Sequence, residues 1–413
     1  MCGINGYIGA NSNKIKRMNE VIIHRGPDNS SYKAFNISNK RDIFLGHNRL
    51  SIIDLSTTAN QPFISECEKY CMIYNGELYN YIELKSELKQ AGIKFKTESD
   101  TEVVFKSILY FGVEAFKKFN GMWAIAFFDL DKNELIMSRD RFGEKPLYYC
   151  IEADEFYFSS EIKAILEVSG KKKINKLTLN RYLLNGSLDS TNDTFFENIH
   201  KVPASTYTII NLSKDFKALN FIYYWNIKSV VEKEHSKYKI SDIVKEFRDI
   251  FKDSVKIRLR SDVKVGSLLS GGLDSSIITS EMSKHIDNLN ILSSVSSNKK
   301  YSEEKFIDIV SKYINTKSKK VNLDDEPKKI FDLMEKVIWH NDEPIASFSV
   351  IAHYLLMEKC HENDIKVILS GQGADELLCG YQKYYIYYIL ELLKSKKYIS
   401  FFKELFYYIF NSG

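Results

Sequence analysis

A cysteine directly follows the first methionine, in the sequence Met1-Cys2-Gly3-Ile4. Because the second residue is small, we expect Met1 to be removed, which leaves Cys2 with both a thiol and a free α-amino group. An α-amine with an ordinary pKa of about 8 is well matched to accept the proton of a thiol with an ordinary pKa of about 8.5. Taken alone, Cys2 could equally be an untethered terminal residue. The polar residues farther along the chain favour a terminal nucleophile.

Four short polar stretches could bind a free amino acid while Cys2 attacks its side-chain amide; they are residues 24–28, 47–54, 75–77 and 99–100. Arg49 could bind an α-carboxylate through paired hydrogen bonds, and Asp100 could bind an α-ammonium group. The side-chain amide of Asn75 and the backbone N–H of Gly76 could donate to an oxyanion, where one donor is worth about 10²–10³ in rate. Separately, these residues could be surface charges and a hairpin turn. Their combination with Cys2 favours glutamine hydrolysis.

The first half of the chain resembles the class II glutamine amidotransferase domain, over residues 1–200. The matching stretches are residues 1–4, 24–28, 49–52, 75–77, 99–100, 121–124, 140–143 and 158–161. The resemblance implies an α+β fold of the N-terminal-nucleophile type, an αββα sandwich. It also implies that Cys2 forms a γ-glutamyl thioester, that its own amine moves the proton, and that ammonia is released. The residues implied for catalysis are Cys2, Asn75 and Gly76, and those implied for glutamine binding are Arg49, Leu50, Ile52, Asn75, Gly76, Glu77 and Asp100.

A second group of motifs in the other half of the chain could bind a nucleotide. Residues 270–275 read Ser-Gly-Gly-Leu-Asp-Ser and lie between an apolar strand and a helix. The glycines let the backbone approach a phosphate, and the helix N-terminus then faces the anion. A plain tight turn uses glycine for the same steric reason, but the full string is more specific. Asp274 could bind the Mg²⁺ that accompanies ATP, and a similar loop, residues 370–376, offers Asp375 as a second ligand.

This half resembles the ATP-pyrophosphatase domain of asparagine synthetases, and the order of the two domains points to the glutamine-hydrolysing family. The resemblance implies an α/β parallel-sheet fold of the adenine nucleotide α-hydrolase type. In that family an aspartate carboxylate attacks the α-phosphate of ATP, and ammonia then captures the β-aspartyl-AMP. The residues implied for ATP binding are Leu269, Ser270, Gly271, Gly272, Asp274, Ser275, Val295, Ser370 and Gly371, with Asp274 and Asp375 as metal ligands.

Two departures from the family leave the acceptor open. Gln372 stands where well-studied members carry a glutamate that handles protons near the activated acid. The acceptor is therefore either L-aspartate or another carboxylate, such as a sugar acid or a peptide-like metabolite. The chain also ends soon after Tyr381, before the last helices of the family, so we expect an incomplete second domain. A remnant that binds glutamine or ATP and has only glutaminase activity is the third alternative.

The composition of the chain argues against several other classes of function and indicates where the protein is located. A net charge of +4, without a basic stripe, argues against nucleic-acid binding. Six cysteines without zinc-ligand spacing indicate reduced thiols in the cytoplasm. No signal peptide or membrane-spanning apolar run is evident, and residues 384–410 predict an amphipathic helix. We expect a glutaminase domain at 1–200, a connection at 201–240 and a synthetase domain at 241–413; the family resemblance allows a homodimer.

Overall fold

The computed structural model describes residues 1–38, 41–152, 154–170, 173–213, 218–231, 239–298, 302–322 and 330–411. These residues form two compact units. The first contains Met1–Lys264 and Asp325–Val367, and the second contains Val265–Asp324 and Ile368–Gly413. Within the described part of the chain, no helix has the length and apolar character needed to cross a lipid bilayer.

Two six-stranded sheets form the centre of the first unit, and all their strand pairings are antiparallel. In spatial order, the first sheet contains β10 (Ile199–Lys201), β8 (Tyr148–Glu152), β9 (Glu155–Ser159), β1 (Gly3–Gly9), β3 (Arg41–Arg49) and β2 (Asn29–Ser38). The second contains β12 (Ile222–Tyr223), β11 (Thr206–Asn211), β7 (Glu134–Arg139), β6 (Gly121–Asp129), β5 (Tyr70–Leu78) and β4 (Phe63–Ile64).

Ten helices belong to the described part of the same unit. They are α1 (Asn13–Val21), α2 (Tyr81–Gln90), α3 (Asp100–Phe111), α4 (Ala115–Lys118), α5 (Ile162–Val168), α6 (Lys176–Asn185), α7 (Ile227–Val231), α8 (Ile240–Arg258), α11 (Ile330–Asn341) and α12 (Ser349–Glu362).

Strand β6 illustrates why the two sheets stack between helices. Its residues alternate between two faces because successive side chains of a strand point in opposite directions. Ala124, Ala126 and Phe128 join a core shared with strands of the other sheet, whereas Trp123, Ile125 and Phe127 pack in a cluster with α3. Burial on both faces explains the continuous apolar run in its sequence.

A third cluster covers the opposite face of the first sheet, where side chains of α1 and α5 pack against β1 and β9. The layers are therefore helices, sheet, sheet and helices. This arrangement confirms the predicted αββα sandwich.

The second unit contains a four-stranded sheet in the order β15 (Lys319–Asn322), β14 (Asn290–Val295), β13 (Val265–Leu268) and β16 (Val367–Leu369). Strand β14 runs parallel to both β13 and β15. Its helices are α9 (Leu273–Met282), α10 (Glu304–Tyr313), α13 (Ala374–Leu378), α14 (Gln382–Lys394) and α15 (Tyr398–Asn411). Helices α9 and α10 connect consecutive parallel strands, which confirms the predicted α/β architecture.

Candidate active site

Cys2 directly precedes β1, and both its sulfur and its carbonyl oxygen accept hydrogen bonds. Its Sγ accepts a hydrogen bond from the backbone N–H of Leu50 at 3.4 Å and lies 3.6 Å from the Leu50 carbonyl. Arg25 donates from Nε to the Cys2 carbonyl oxygen at 2.9 Å. The antiparallel pairing of β1 with β3 sets Gly3 opposite Asn48 and so places Leu50 beside the cysteine. Both the main chain and the sulfur of Cys2 therefore have fixed positions.

The guanidinium group of Arg25 is itself held by a buried carboxylate. Its Nη1 donates to Glu161 Oε1 at 2.9 Å, and His24 Nε2 lies 3.1 Å from the same oxygen. Lys163 pairs with the other oxygen of Glu161 and also lies 2.9 Å from Asp342 Oδ1. Burial favours the neutral acid, but the hydrogen bond to His24 and the charges of Arg25 and Lys163 outweigh it and lower the pKa of Glu161 to about 2. The main chain of Cys2 thus depends on an ionised Glu161.

Replacing Glu161 with glutamine should lower the free energy of unfolding by about 3–5 kcal/mol at neutral pH, because Arg25 and Lys163 would lose their shared buried anion. The contribution of ionised Glu161 is fully present above its unfolded pKa of 4.5 and is lost as the pH falls through about 2. The difference between variant and parent should therefore shrink in acid. Urea unfolding at several pH values measures both effects.

The matched control for this variant is Glu87→Gln, which breaks the exposed pair between Glu87 and Lys118. We expect this change to alter the free energy of unfolding by less than about 1 kcal/mol. Equal stability of the Glu161→Gln variant and its parent at neutral pH would contradict the assignment.

Asn75 and Gly76 lie inside β5 rather than in a hairpin turn, so the turn interpretation is wrong. Asn75 is 1% exposed, and its Nδ2 has no hydrogen-bond partner in the described part of the chain. A buried donor left unpaired costs about 1–3 kcal/mol. At Gly76, a Cβ atom would lie 2.3 Å from both the Met122 carbonyl oxygen and the Tyr74 ring, so only glycine fits. The strand therefore holds one free amide donor at a place where the backbone is tightly packed.

The surface-charge interpretation of Arg49 and Asp100 is also wrong, because both residues are buried. Arg49 Nη1 donates to the Ser56 carbonyl and to Asn60 Oδ1, each at 2.7 Å, and its Nη2 donates to the Asp54 carbonyl. The guanidinium group thus fixes the loop at residues 54–60.

Asp100 begins α3, and its Oδ2 accepts hydrogen bonds from the Tyr74 hydroxyl and the Leu78 N–H, both at 3.0 Å. Burial raises the pKa of Asp100 despite these two donors. Leu50, Ile52 and Glu77, which the resemblance also assigns to glutamine, are half-buried. The hydrogen bonds from Tyr74 and Leu78 connect Asp100 directly to β5, the strand of Asn75.

In the second unit, residues 270–275 form a compact turn that leads into the first residues of α9, which begins at Leu273. Gly271 has a φ of +90°, a conformation that glycine adopts without strain. Ser275 Oγ accepts from the Ser270 N–H at 3.2 Å and lies 2.9 Å from Ser270 Oγ. Ser270 Oγ in turn accepts from the Gly272 N–H at 3.2 Å. The two serines close the loop at the N-terminus of the helix, where backbone N–H groups favour an anion.

The second predicted loop contacts the first. A Cβ atom at Gly371 would lie 3.0 Å from the Ser275 nitrogen and 3.2 Å from Cβ of Asp274, so this glycine allows the close approach. The loop begins at Ser370, directly after β16. Leu269 is buried and donates its N–H to the Leu292 carbonyl at 2.9 Å, and Val295 ends β14.

The donor set of Asp274 and Asp375 fits Mg²⁺ bound together with a nucleotide. Both residues offer carboxylate oxygens, which Mg²⁺ prefers, and each lies in the first turn of a helix that follows a glycine loop. Among the described residues, no three His, Cys, Asp or Glu side chains cluster as a complete metal site. Phosphate oxygens and water would have to supply the other ligands, as is usual for Mg²⁺.

The predicted sites leave several structured polar groups unassigned. The resemblance gives residues 158–161 only as a matching stretch. In the structure, Glu161 binds Arg25, and Arg25 in turn donates to the Cys2 carbonyl oxygen. Lys163 and Asp342 extend that support, and Lys145 lies near the N-terminus. For Lys145, the nearest stretch that the resemblance marks is residues 140–143. No signal linked Asp342 to Cys2, because the two are far apart in the chain.

Comparison with known proteins identifies the class. Residues 1–224 match the family model described as a glutamine amidotransferase domain, and residues 246–400 match that described as asparagine synthase. The sandwich with Cys2 at its first strand therefore belongs to the glutamine amidotransferases, and it is followed by a synthetase domain.

Curated relatives identify the family. A protein of Methanocaldococcus jannaschii named as putative glutamine-hydrolyzing asparagine synthetase 2 is 35% identical over 420 aligned positions, and the alignment covers 96% of this chain and 78% of the relative. Glutamine-hydrolysing asparagine synthetase 1 of Bacillus subtilis is 36% identical over 381 residues, which cover 90% of this chain and 56% of that protein. The chain belongs to the glutamine-hydrolysing asparagine synthetase family.

A more distant likeness is to glutamine phosphoribosylpyrophosphate amidotransferase from B. subtilis, complexed with ADP and GMP, with a TM-score of 0.41 and 15% identity. It covers 78% of this chain and 81% of that structure, and it is too weak to bear on the site.

Proposed function

We propose that this chain hydrolyses glutamine at Cys2 and uses the released ammonia to amidate a carboxylate that ATP has activated. The proposed acceptor is L-aspartate, and the product is then L-asparagine. The observation that carries the glutaminase part is the buried, unpaired Nδ2 of Asn75 in β5, which lies inside the same sandwich as the doubly held Cys2. A donor kept unpaired at a cost in stability is expected where a substrate oxygen becomes charged.

The proposed first reaction requires removal of Met1. The amine of Cys2 takes the thiol proton, and the sulfur attacks the γ-amide carbon of glutamine. Asn75 Nδ2 and the Gly76 N–H donate to the oxygen that becomes negative. The carbon–nitrogen bond then breaks, the nitrogen leaves as ammonia with the proton from the amine, and a thioester remains. Water attacks the thioester and releases glutamate and the free Cys2 thiol.

The proposed glutamine contacts use the groups around β5 and the end of β3. Arg49 would bind the α-carboxylate through those N–H groups that do not donate to the loop at residues 54–60. Asp100 would bind the α-ammonium group through Oδ1, because Oδ2 already accepts from β5. Leu50, Ile52 and Glu77 complete this proposed pocket. Burial raises the pKa of Glu77, which fits a carboxyl group enclosed with a substrate.

The proposed synthetase reaction uses the paired glycine loops of the second unit. Residues 270–275 would hold the pyrophosphate, Ser370 and Gly371 would lie against the nucleotide, and backbone groups of Leu269 and Val295 would contact the adenosine. Mg²⁺ bound by Asp274 and Asp375 would neutralise phosphate charge. The acceptor carboxylate attacks the α-phosphorus and expels pyrophosphate. Ammonia then displaces AMP from the acyl carbon.

Gln372 favours a second candidate acceptor. Its side-chain amide cannot exchange a proton as a carboxylate does, so the proton handling near the activated acid must differ from that of relatives with glutamate. Amidation of another carboxylate, such as a sugar acid or a peptide-like metabolite, is therefore the alternative proposal. We also propose a cytoplasmic location, which agrees with the six free cysteines. The homodimer remains a prediction.

Pyrophosphate release identifies the acceptor. The full chain is incubated with ATP, Mg²⁺ and ammonium, and with aspartate or one of a panel of other carboxylates. We expect aspartate to give the fastest release, together with asparagine. Faster release with another acid would support the alternative acceptor. Glutamine hydrolysis without pyrophosphate release from any acid would contradict the synthetase part of the proposal and leave a glutaminase.

A further inference from the structure

Asp342 is a buried carboxylate that none of the proposed reactions uses. Its side chain is 6% exposed. It directly follows α11 and has a φ of +64°, the left-handed conformation in which helices commonly end on glycine or asparagine. Its N–H donates to the Ile338 carbonyl at 2.9 Å and so completes the last turn of the helix. An aspartate at this position therefore adds a buried charge that ending the helix does not require.

Both carboxylate oxygens of Asp342 bind the start of α5. Oδ2 accepts the N–H of Ile162, the first residue of that helix, at 2.7 Å, and Oδ1 lies 2.9 Å from Lys163 Nζ. The side chain of Glu161, the residue before the helix, does not cap it. Asp342 therefore takes the place of a local cap from a distant part of the chain. Burial raises the pKa of Asp342 to about 6, so the carboxylate is largely ionised at neutral pH.

The contacts of Lys163 continue as far as the proposed nucleophile. Its ammonium group and the guanidinium group of Arg25 bind Glu161, one at each carboxylate oxygen. Arg25 in turn donates from Nε to the Cys2 carbonyl at 2.9 Å. The four charged side chains from Asp342 to Arg25 are each at most 10% exposed, so water and salt screen their attraction little. Alternating charges therefore form one continuous path from Asp342 to the main chain of Cys2.

The carbonyl at the end of this path determines where the nucleophile lies. In the proposed reaction Met1 has been removed, so Cys2 has a peptide bond on one side only. That peptide group is planar and rigid, and the amine and the thiol of Cys2 both project from the Cα atom at its edge. The hydrogen bond from Arg25 helps to fix the plane. A shift of Arg25 would therefore move the amine and the sulfur together, away from the oxyanion donor of Asn75.

We propose that Asp342 is a positioning residue of the glutaminase site, and that it acts through this charged path to keep Cys2 aligned with Asn75. The inference rests on the proposed role of Cys2. Asp342 lies outside residues 1–224, which match the glutamine amidotransferase domain, and inside residues 246–400, which match asparagine synthase. It nevertheless folds into the first unit, together with the sandwich. The synthetase part of the sequence thus supplies a residue that the glutaminase site needs.

The test is the steady-state kinetics of glutamine hydrolysis by the full chain, with Asp342→Asn as the variant. Asparagine keeps the shape of the side chain and tolerates the left-handed φ, but it removes the charge that holds Lys163. We expect kcat to fall by about 10- to 100-fold, because a small displacement of a reacting group can cost that much. KM should stay within about twofold, because the proposed glutamine contacts at Arg49 and Asp100 lie on β3 and α3 rather than along this path.

Glu343→Gln is the matched control, because it changes the next residue of the same segment. Glu343 is also a half-buried to buried carboxylate with two partners: it accepts the Phe195 N–H at 3.0 Å and pairs with Lys201 at 3.4 Å. Neither contact belongs to the path to Cys2. We expect a comparable loss of stability in urea but a kcat within about twofold of the parent value. An equal loss of kcat in Glu343→Gln and Asp342→Asn would overturn the inference, because it would reflect general destabilisation.

Two further variants keep the test decisive if Asp342→Asn folds poorly. Asp342→Gly removes the same carboxylate and adopts a φ of +64° without strain, so the end of α11 should persist and kcat should show the same loss. Lys163→Met removes the group through which Asp342 acts, and adding Asp342→Asn to it should lower kcat no further. A parent kcat in Asp342→Gly, or multiplied losses in the double variant, would overturn this inference alone. A parent chain without glutaminase activity would overturn the proposed function as well.

Discussion

Replacing Cys2 with alanine is expected to lower kcat for glutamine hydrolysis by roughly 10⁶, because no other group takes over the covalent step once the nucleophile is lost. Among the described residues, the sulfur forms hydrogen bonds with the main chain of Leu50, and we expect its removal to leave the fold intact. Glutamate release from the purified chain measures the loss. Pyrophosphate release driven by added ammonium should remain close to that of the parent, because the proposed synthetase reaction needs ammonia and not the thiol.

The chain offers a matched control in Cys67, an exposed free cysteine. Cys67→Ala should leave both activities unchanged. Glutamine hydrolysis at the parent rate in Cys2→Ala would exclude Cys2 as the nucleophile. Loss of ammonium-driven turnover in the same variant would show that the substitution disturbs more than the thiol.

Asn75→Ala should lower kcat for glutamine hydrolysis by about 10²–10³, the effect expected for the loss of one oxyanion donor. KM should change little, because the interaction strengthens only when the oxygen becomes charged. The folded chain should not lose stability through a broken hydrogen bond, since Nδ2 has no partner among the described residues. Steady-state kinetics together with urea unfolding separate the two effects.

Thr208→Val is the corresponding control. Thr208 is also a buried residue with an unpaired polar atom, its Oγ1, but it lies on β11. Its replacement should leave glutamine hydrolysis unchanged. If Asn75→Ala raised KM by the same factor as it lowered kcat/KM, Asn75 would bind the ground state of glutamine, and the proposed oxyanion role would be contradicted.

The elements with the strongest periodic patterns were predictable from the sequence. The short apolar run at residues 155–159 predicts a strand, and these residues form β9 with the same ends. The apolar spacing at residues 240–257 and at residues 101–111 predicts two helices, and the structure contains α8 and α3 at these positions. These segments can be predicted because burial on one or both faces determines the spacing of their apolar residues.

Other elements lacked such a signal. Strand β1 has the sequence Gly-Ile-Asn-Gly-Tyr-Ile-Gly, whose three glycines weaken a strand pattern although all seven residues are buried. Gly6 is required there because the ring of Phe158 fills the space of its side chain. Strand β11 falls within residues 201–240, which the sequence predicts as a connection, and pairs with β7. Only tertiary pairing identifies such strands.

One segment was predicted as a single element and is in fact two. Residues 384–410 were interpreted as one amphipathic helix, but α14 ends at Lys394 and α15 begins at Tyr398. Lys396 has a φ of +56°, which a continuing helix cannot contain. The polar residues Ser395, Lys396 and Lys397 interrupt the apolar pattern at this point.

In the candidate site, too, some residues are suggested by the sequence, whereas others are found only in the structure. The sequence alone makes Cys2, Asn75 and Asp100 candidates, because each residue type suits either the hydrolysis of an amide or the binding of a free amino acid. The support of Cys2 could not be predicted, because Arg25 and Glu161 are 136 positions apart and meet only through the pairing of strands. Asp342 could not be placed either, since 180 positions separate it from Ile162, whose N–H it accepts.

The central claim is that Cys2 becomes the first residue and carries the glutamyl group. Intact-mass analysis of the full chain, mixed briefly with glutamine and quenched in acid, tests it most directly. We expect a chain without Met1, with a γ-glutamyl adduct that peptide mapping assigns to Cys2 and that Cys2→Ala lacks. A chain that hydrolyses glutamine while retaining Met1, or an adduct on another residue, would contradict the account.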